Sequence, residues 1–393
     1  MTSWARQLGA ISMIAGTSIG AAMVAMPISM ATFGTGATVV TLIISWAGML
    51  MASFFMLESN AFFSKSANLV TMSEYAMGKS GYWICITAYL LLLYCLNAAY
   101  LAEFSASLVG LFSGFHLDTV GALIFSVVLI FFLAPSNRSG TIATVMLWGL
   151  VLTYLMIVGA LTPTINLSYS HPDNWSDIGR AFPICILAFG YQIIIPSLRR
   201  FLDDDINSLK SAIYIGSSIP LAVYLIWMLL VMYNLPATGP NSLQSIAISN
   251  SLREILPEAL ASQHGLDIIH PLFHWFVIFA ISTSLVGASV SLFDFVRDWL
   301  KNFNQNQFII SAIAFLPPAI CVLFFPKLFI IALQPAGALV GVLLMILPVL
   351  NCIGVRLKGE VSPYQVPYFT FTAPVVVLMA LVMIILDIMH LSQ

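Results

Sequence analysis

The chain has 393 residues, of which 60% are hydrophobic and only 8% are charged. An ordinary soluble domain carries about 25% charged residues, so this composition excludes a soluble protein. The formal net charge is -2, and no cluster of basic residues is long enough to hold nucleic-acid phosphates.

Apolar runs long enough to cross a hydrocarbon core of roughly 30 Å recur along the whole chain. Because a helix satisfies its own backbone hydrogen bonds inside lipid, the runs predict a helix bundle rather than a barrel. We therefore expect an all-α integral membrane protein with eleven transmembrane helices in a single domain, 1–393. A long outer loop at 235–267 should hold short helices between 243 and 260. The predicted spans are 6–32, 37–63, 82–112, 119–134, 141–161, 180–201, 211–234, 268–296, 307–325, 328–351 and 367–390.

Lysine and arginine are distributed unequally between the predicted loops. With the N-terminus inside, eleven of the 14 basic residues are cytoplasmic and three are outside. This positive-inside bias predicts a cytoplasmic N-terminus and a periplasmic C-terminus. The cytoplasmic set is Arg6, Lys65, Lys79, Arg138, Arg199, Arg200, Lys210, Arg297, Lys301, Arg356 and Lys358, and the outer set is Arg180, Arg253 and Lys327.

The first and sixth spans carry matched interruptions. Small residues fill 16–22 of the first span, with Pro27 downstream, and the sixth has a glycine-bearing segment at 188–192, with Pro196 downstream. The two spans lie five apart and cross the membrane in opposite directions. Paired broken helices indicate an inverted-repeat transporter with its binding site at the breaks. The alternative for the first segment is close helix packing through its GxxxG motif.

Broken helices suit a zwitterion. A half-helix that begins near Gly20 presents free N–H groups and a positive dipole end, which favour a carboxylate. Unwound carbonyls in the sixth span can receive an ammonium group. An α-amino acid could thus be bound by backbone alone, without a costly charged side chain in the bilayer.

Several segments resemble the bacterial aromatic and hydroxy amino-acid permeases, and the tyrosine-specific permeases are the most similar. The resemblance extends over nearly the whole chain. The segments that carry it are GTSIGAAMVAMP at 16–27, FGY at 189–191 with Pro196-Ser197, GSSIPL at 216–221, SLFDF at 291–295, and FLPP at 315–318 with FPK at 325–327.

This resemblance implies a LeuT-type fold of the amino acid–polyamine–organocation superfamily. Its five-plus-five inverted repeat would comprise about 4–161 and 180–351, with discontinuous helices 1 and 6 and one extra helix at about 367–390. It also implies import of an aromatic amino acid, most directly tyrosine, by proton symport across the bacterial inner membrane. We expect a monomer without a cofactor. One departure is Tyr191-Gln192, which stands where the tyrosine permeases carry Phe-His, so tryptophan, phenylalanine and serine stay open as substrates.

Candidate substrate-binding residues cluster at the breaks and on the third span. The Ser18 hydroxyl and the N–H groups of Ala21 and Ala22 could hold a carboxylate, while aromatic residues at 189 and 191 could stack on the substrate ring. Packing between helices is the alternative for each. The predicted set is Gly16, Thr17, Ser18, Gly20, Ala21, Ala22, Asn97, Tyr100, Phe189, Gly190, Tyr191 and Gln192.

The coupling ion has two alternative sites. An ionisable group deep in a membrane is a functional candidate by default, and Glu103 is the better proton carrier because Glu58 lies near the cytoplasmic end of its span. A sodium ion would instead use the hydroxyls of the eighth span.

The sodium alternative depends on Ala280, Thr283 and Ser284, which recur on one helical face. In LeuT-type sodium carriers, hydroxyls at comparable positions pair with carbonyls of the broken first helix, here Gly16 and Ile19. Serine and threonine in membrane helices also bond their own backbone, which is the competing interpretation.

Other functional classes lack sequence support. A channel would need a repeated pore motif or a ring of charges, and an enzyme or ATP-driven pump would need a catalytic or Walker motif. The sequence contains neither. The five cysteines have no metal-ligand spacing, so we expect no firm metal site.

Overall fold

The computed structural model describes residues 3–64, 67–111, 118–136, 139–169, 171–239, 241–245, 252–300, 306–325 and 328–391. Regular structure within these ranges is helical, as the composition predicts. The helices are α1 Ser3–Ser18, α2 Ala22–Met30, α3 Thr35–Phe62, α4 Leu69–Leu111, α5 Thr119–Leu133, α6 Ser139–Leu161, α7 Ile178–Ala188, α8 Ile195–Phe201, α9 Ile206–Asn234, α10 Leu252–His264, α11 Ile269–Leu300, α12 Gln307–Phe324, α13 Leu328–Val340, α14 Leu347–Leu357 and α15 Phe369–Leu391.

The lengths of these helices confirm a polytopic membrane protein. By length and composition, nine helices or joined helices among the described residues could cross a membrane, or ten with the bent pair α1 and α2. The remaining apolar helix, α5, has 15 residues, fewer than the roughly 20 of a typical span. The number eleven and the five-plus-five repeat stay predictions.

Orientation also stays a prediction. Lys65, Arg138, Lys301 and Lys327, four of the basic residues counted for it, lie outside the described residues.

The predicted loop at 64–81 is mostly helical. α4 starts at Leu69, and Gly78 interrupts it with a φ of 67°. Glycine tolerates this left-handed conformation because it has no Cβ. The polar residues before the kink lower the hydropathy of this segment, so the apolar pattern did not predict the short helix. In the predicted loop at 235–267, α10 agrees with the short helices expected there.

Two groups of helices organise the packing. α1 and α3 pack on α9, and α2 packs on α7; we call α1/α2, α3, α7/α8 and α9 the bundle. α4 packs on α5, α11 and α12; we call these four helices the scaffold. The joined helix α13–α14 lies against both α4 and α7, and it contains a π turn, Gly341–Ile346.

Candidate substrate site at the two helix breaks

The first break separates α1 from α2, which meet at 45°. Residues 19–21 leave the helical path between Ser18 and Ala22. Pro27 lies inside α2 and has no N–H to donate to the carbonyl four residues earlier, that of Met23. The indole N–H of Trp227 donates to this carbonyl instead, at 2.9 Å. A side chain of α9 therefore replaces the helical hydrogen bond that the proline removes.

The second break follows α7. Phe189 and Gly190 have non-helical backbone angles, and a 3-10 turn, Tyr191–Ile194, leads into α8. Pro196 occupies the first turn of α8, a position that needs no N–H donor. The two interruptions predicted in the first and sixth spans are thus both present.

Tyr224 of α9 joins the two breaks. Its hydroxyl donates to the carbonyl of Ser18 at 2.5 Å and lies 3.3 Å from the carbonyl oxygen of Ala188. These residues end α1 and α7, and the C-terminal end of a helix carries a partial negative charge. Two negative helix ends therefore converge on one buried phenol.

The opposite side of the first break faces α11. The N–H of Ala21 donates to the Ser284 hydroxyl at 3.0 Å. A Cβ at Gly20 would lie 2.5 Å from that oxygen and 3.7 Å from both the Ala280 carbonyl oxygen and the Thr283 hydroxyl. The three predicted residues of the eighth span are therefore adjacent to the break. Thr283 also donates to the Ala280 carbonyl at 2.9 Å, the backbone bond of the competing interpretation.

Other predicted residues of the first span lie within α1. Thr17 is exposed and donates to the Met13 carbonyl, and Ser18 donates its hydroxyl to the Ile14 carbonyl. Gly16 lies beside Leu147 of α6. Only the end of the predicted segment, from Ser18 onward, takes part in the break.

On the third span, Tyr100 is buried on α4 and Asn97 links helices. Asn97 donates to the Leu93 carbonyl and accepts from the Ser289 hydroxyl, both at 2.8 Å. Glu103 is half-buried on α4.

The polar side chains of the 3-10 turn point toward α3. The Tyr191 hydroxyl lies 2.7 Å from the Ser53 hydroxyl, and the Gln192 amide donates to the Met49 carbonyl at 2.8 Å. Among the described residues, Gln192 Oε1 has no hydrogen-bond partner. Phe189, by contrast, contacts the Tyr224 ring edge-on at 5.4 Å.

Glu58 belongs to a separate cluster near the C-terminal end of α3. It is buried and forms two hydrogen bonds with the Arg356 guanidinium, at 2.7 and 2.8 Å, and it accepts a third from the Val366 N–H. The carboxylate is therefore paired rather than solvated, and its contacts are structural.

Tyr224 and Trp227 were missed from the sequence. They are spaced i, i+3 on one face of a span, and a buried tyrosine or tryptophan normally finds a partner for its polar tip. That signal existed, but it could not identify the partner as the carbonyl of a broken helix.

Comparison with known sequences identifies the family. Residues 5–387 match the model described as the tryptophan/tyrosine permease family. The chain is 28% identical to tyrosine-specific transport system 2 of Haemophilus influenzae, over 97% of this chain and 96% of that protein. It is also 28% identical to a tryptophan-specific transport protein of the same organism, over 97% and 95%.

Solved transporter structures have a fold similar to that of this chain. A mutant of the Eremococcus coleocola manganese transporter superposes with a TM-score of 0.67, covering 99% of this chain and 87% of that one at 11% identity. At this identity the likeness extends to the LeuT-like fold alone. The relatives and fold neighbours are transport proteins, so this chain is a transporter in the inner membrane and not an enzyme. The chain belongs to the tryptophan/tyrosine permease family.

Proposed function

We propose that this protein imports an aromatic amino acid, with tyrosine as the first candidate, by proton symport and alternating access. The observation that carries the proposal is the convergence of the α1 and α7 ends on Tyr224. Within a family that includes both tyrosine and tryptophan transporters, this convergence supports a binding site for the ammonium group that these amino acids share.

The ammonium group of the substrate binds at the carbonyls of Ser18 and Ala188. Both carbonyls end helices, so the negative dipole ends add to the attraction of the carbonyl oxygens for a cation. No acidic side chain is required, which avoids the cost of placing a full charge in the bilayer.

The carboxylate binds on the other side of the first break. Gly20 and Ala21 precede the N-terminus of α2, where N–H groups and the positive dipole end favour an anion. Ala21 N–H is already directed out of the helix, toward Ser284. Tyr100, a predicted binding residue of the third span, completes the polar lining.

The aromatic ring of the substrate stacks on Phe189. This ring lies at the second break, next to the Ala188 carbonyl that receives the ammonium group. Ring pairs add about 0.5–1.5 kcal/mol beyond burial. Tyr191 and Gln192 support the break from the α3 side, and Gln192 Oε1 has an accepting position left for a phenol or indole donor.

Sodium coupling is the second candidate for the driving ion. The Ala280 carbonyl and the hydroxyls of Thr283 and Ser284 surround the Gly20 position, and oxygen ligands of this kind suit a hard cation. Proton coupling, with Glu103 as the carrier, stays our first proposal. The charge bias of the sequence supports a cytoplasmic N-terminus.

A thermal-shift screen of the purified protein tests the substrate and the ion together. The twenty amino acids are compared at two pH values, with and without sodium. We expect stabilisation by tyrosine or tryptophan without a sodium requirement. Stabilisation by serine alone would contradict the aromatic assignment, and stabilisation that needs sodium would replace the proton as the coupling ion.

A further inference from the structure

Tyr224 occupies the single point at which both broken helices end. Its hydroxyl lies within 2.5 Å of the Ser18 oxygen and 3.3 Å of the Ala188 oxygen, and its side chain is fully buried. It is also held in place. Phe189 contacts its ring edge-on, and Trp227, one turn along α9, is hydrogen-bonded to Met23.

The hydroxyl can satisfy only part of this site. A phenol has one O–H to donate, so it makes one good hydrogen bond, to Ser18, while the Ala188 oxygen at 3.3 Å receives at most a weak one. The same oxygen can also accept. A primary ammonium group has three N–H donors, which matches the Ser18 carbonyl, the Ala188 carbonyl and the phenol oxygen.

We propose that Tyr224 is a specificity residue that recognises the primary ammonium group of the substrate by accepting a hydrogen bond from it. In the structure the phenol donates to the Ser18 carbonyl. When an amino acid binds, the ammonium group donates to both carbonyls and to the phenol oxygen, while the phenol O–H keeps its bond to the Ser18 carbonyl, whose oxygen has two lone pairs. This inference rests on the proposed function, because it requires an amino acid at the breaks.

The added hydrogen bond favours binding because its donor is charged. Such a bond is roughly twice as strong as one between two neutral groups. Removing the hydroxyl should therefore weaken amino-acid binding by about tenfold. If the hydroxyl only plugged the site, its removal would instead strengthen binding.

The test compares Tyr224→Phe with Tyr154→Phe in the purified protein. Tyr154 of α6 is the matched control, because its hydroxyl donates to the Val223 carbonyl at 3.3 Å, next to Tyr224 in sequence but at neither break. Binding is measured for the preferred amino acid of the wild type and for its desamino analogue, which keeps the ring and the carboxylate. Thermal unfolding checks that each variant is folded.

We expect Tyr224→Phe to weaken binding of the amino acid about tenfold and to leave binding of the desamino analogue unchanged, whereas Tyr154→Phe should leave binding of both ligands unchanged. An equal loss for both ligands, unchanged affinity or tighter binding would overturn the proposal. A wild type that prefers a non-aromatic amino acid would overturn the aromatic assignment but not the role of Tyr224. The comparison with a desamino analogue can be made for any amino acid with a primary ammonium group.

Discussion

Gly20 decides how closely the first break can approach α11. A Cβ at this position would lie 2.5 Å from the Ser284 oxygen, a distance that real Cβ atoms essentially never show. The contact between Ala21 N–H and Ser284 depends on the same approach. A side chain at residue 20 would therefore separate the break from the scaffold.

Gly20→Ala should abolish most transport while the protein remains folded. Overpacking of this kind costs about 1–3 kcal/mol, which a multi-span protein can tolerate, but the displaced break can no longer bind substrate in the same geometry. Uptake of radiolabelled amino acid into cells measures the effect. Gly287→Ala is the control. Gly287 lies on α11, the helix that Gly20 faces, and a Cβ at Gly287 meets nothing within 4 Å. Equal uptake by the two variants would show that residue 20 is not close to the site.

The ion pair of Glu58 and Arg356 is the second prediction at this scale. Glu58 is 3% exposed, so its charge is compensated by Arg356 and the Val366 N–H rather than by water. Arg356→Ala should lower the free energy of unfolding by roughly 3 kcal/mol, because it leaves a buried charge unpaired. Thermal unfolding in detergent measures the change.

An exposed ion pair provides the control for that measurement. Asp294 and Arg297 are about half exposed, at 49% and 48%, and exposed pairs contribute about 0–1 kcal/mol. Arg297→Ala should therefore leave the unfolding temperature nearly unchanged. An equally small change in both variants would contradict the stabilising role of the Glu58–Arg356 pair.

At the scale of elements, the loop between α6 and α7 contacts the C-terminal end of α9. The His171 ring lies 2.7 Å from the Met232 carbonyl oxygen, and the Asn166 N–H donates to the Tyr233 carbonyl at 2.8 Å. The His171 carbonyl in turn accepts from the Thr35 N–H of α3. This loop therefore ties α9 to the start of α3.

The pH dependence of this loop follows from His171. Burial lowers the pKa of its imidazole below the usual 6.5. The unfolded loop then binds a proton before the folded loop does, so stability is fully present above pH 6.5 and falls as the pH drops toward the folded pKa. The wild type should unfold at a lower temperature at pH 5 than at pH 8. His171→Gln, which keeps an N–H donor, should reduce this difference, and an unchanged pH dependence would contradict the assignment.

Hydropathy predicted the elements well because each span needs a long apolar run, whatever its neighbours are. The breaks were predictable for a local reason too: small residues at 16–22 and a glycine at 190, each followed by a proline, weaken the helix on their own. The contacts between helices were not predictable. Whether Asn97 contacts Ser289 or a ligand, and whether Tyr191 faces α3, depends on how each helix is rotated about its axis. In a chain that is 60% hydrophobic, the sequence pattern does not define this rotation.

At the scale of the whole molecule, polar contacts join the helices of the bundle to one another. Tyr224 joins α9 to α1 and α7, and Arg6 of α1 pairs with Asp203 after α8. Polar contacts also link the bundle to helices outside it, as between Ala21 and Ser284 of α11 and between Glu58 and Arg356 of α14. We expect the bundle to move as one body during alternating access and the contacts to outside helices to change.

Cross-linking tests that motion. With native cysteines replaced, Glu58→Cys with Arg356→Cys joins α3 to α14, whereas Arg6→Cys with Asp203→Cys joins two parts of the bundle. A bifunctional thiol reagent should stop uptake in the first pair and leave it within about twofold of normal in the second, because only the first prevents α3 from moving relative to a helix outside the bundle. Uptake that survives in both pairs would contradict a moving bundle.

Uptake of radiolabelled tyrosine into sodium-free proteoliposomes with an imposed inward proton gradient tests whether the two breaks form the proposed proton-driven site for an aromatic amino acid. We expect accumulation that unlabelled tryptophan inhibits and that a protonophore abolishes. Uptake that persists as gradient-independent exchange, or that occurs for serine and not for any aromatic amino acid, would contradict it.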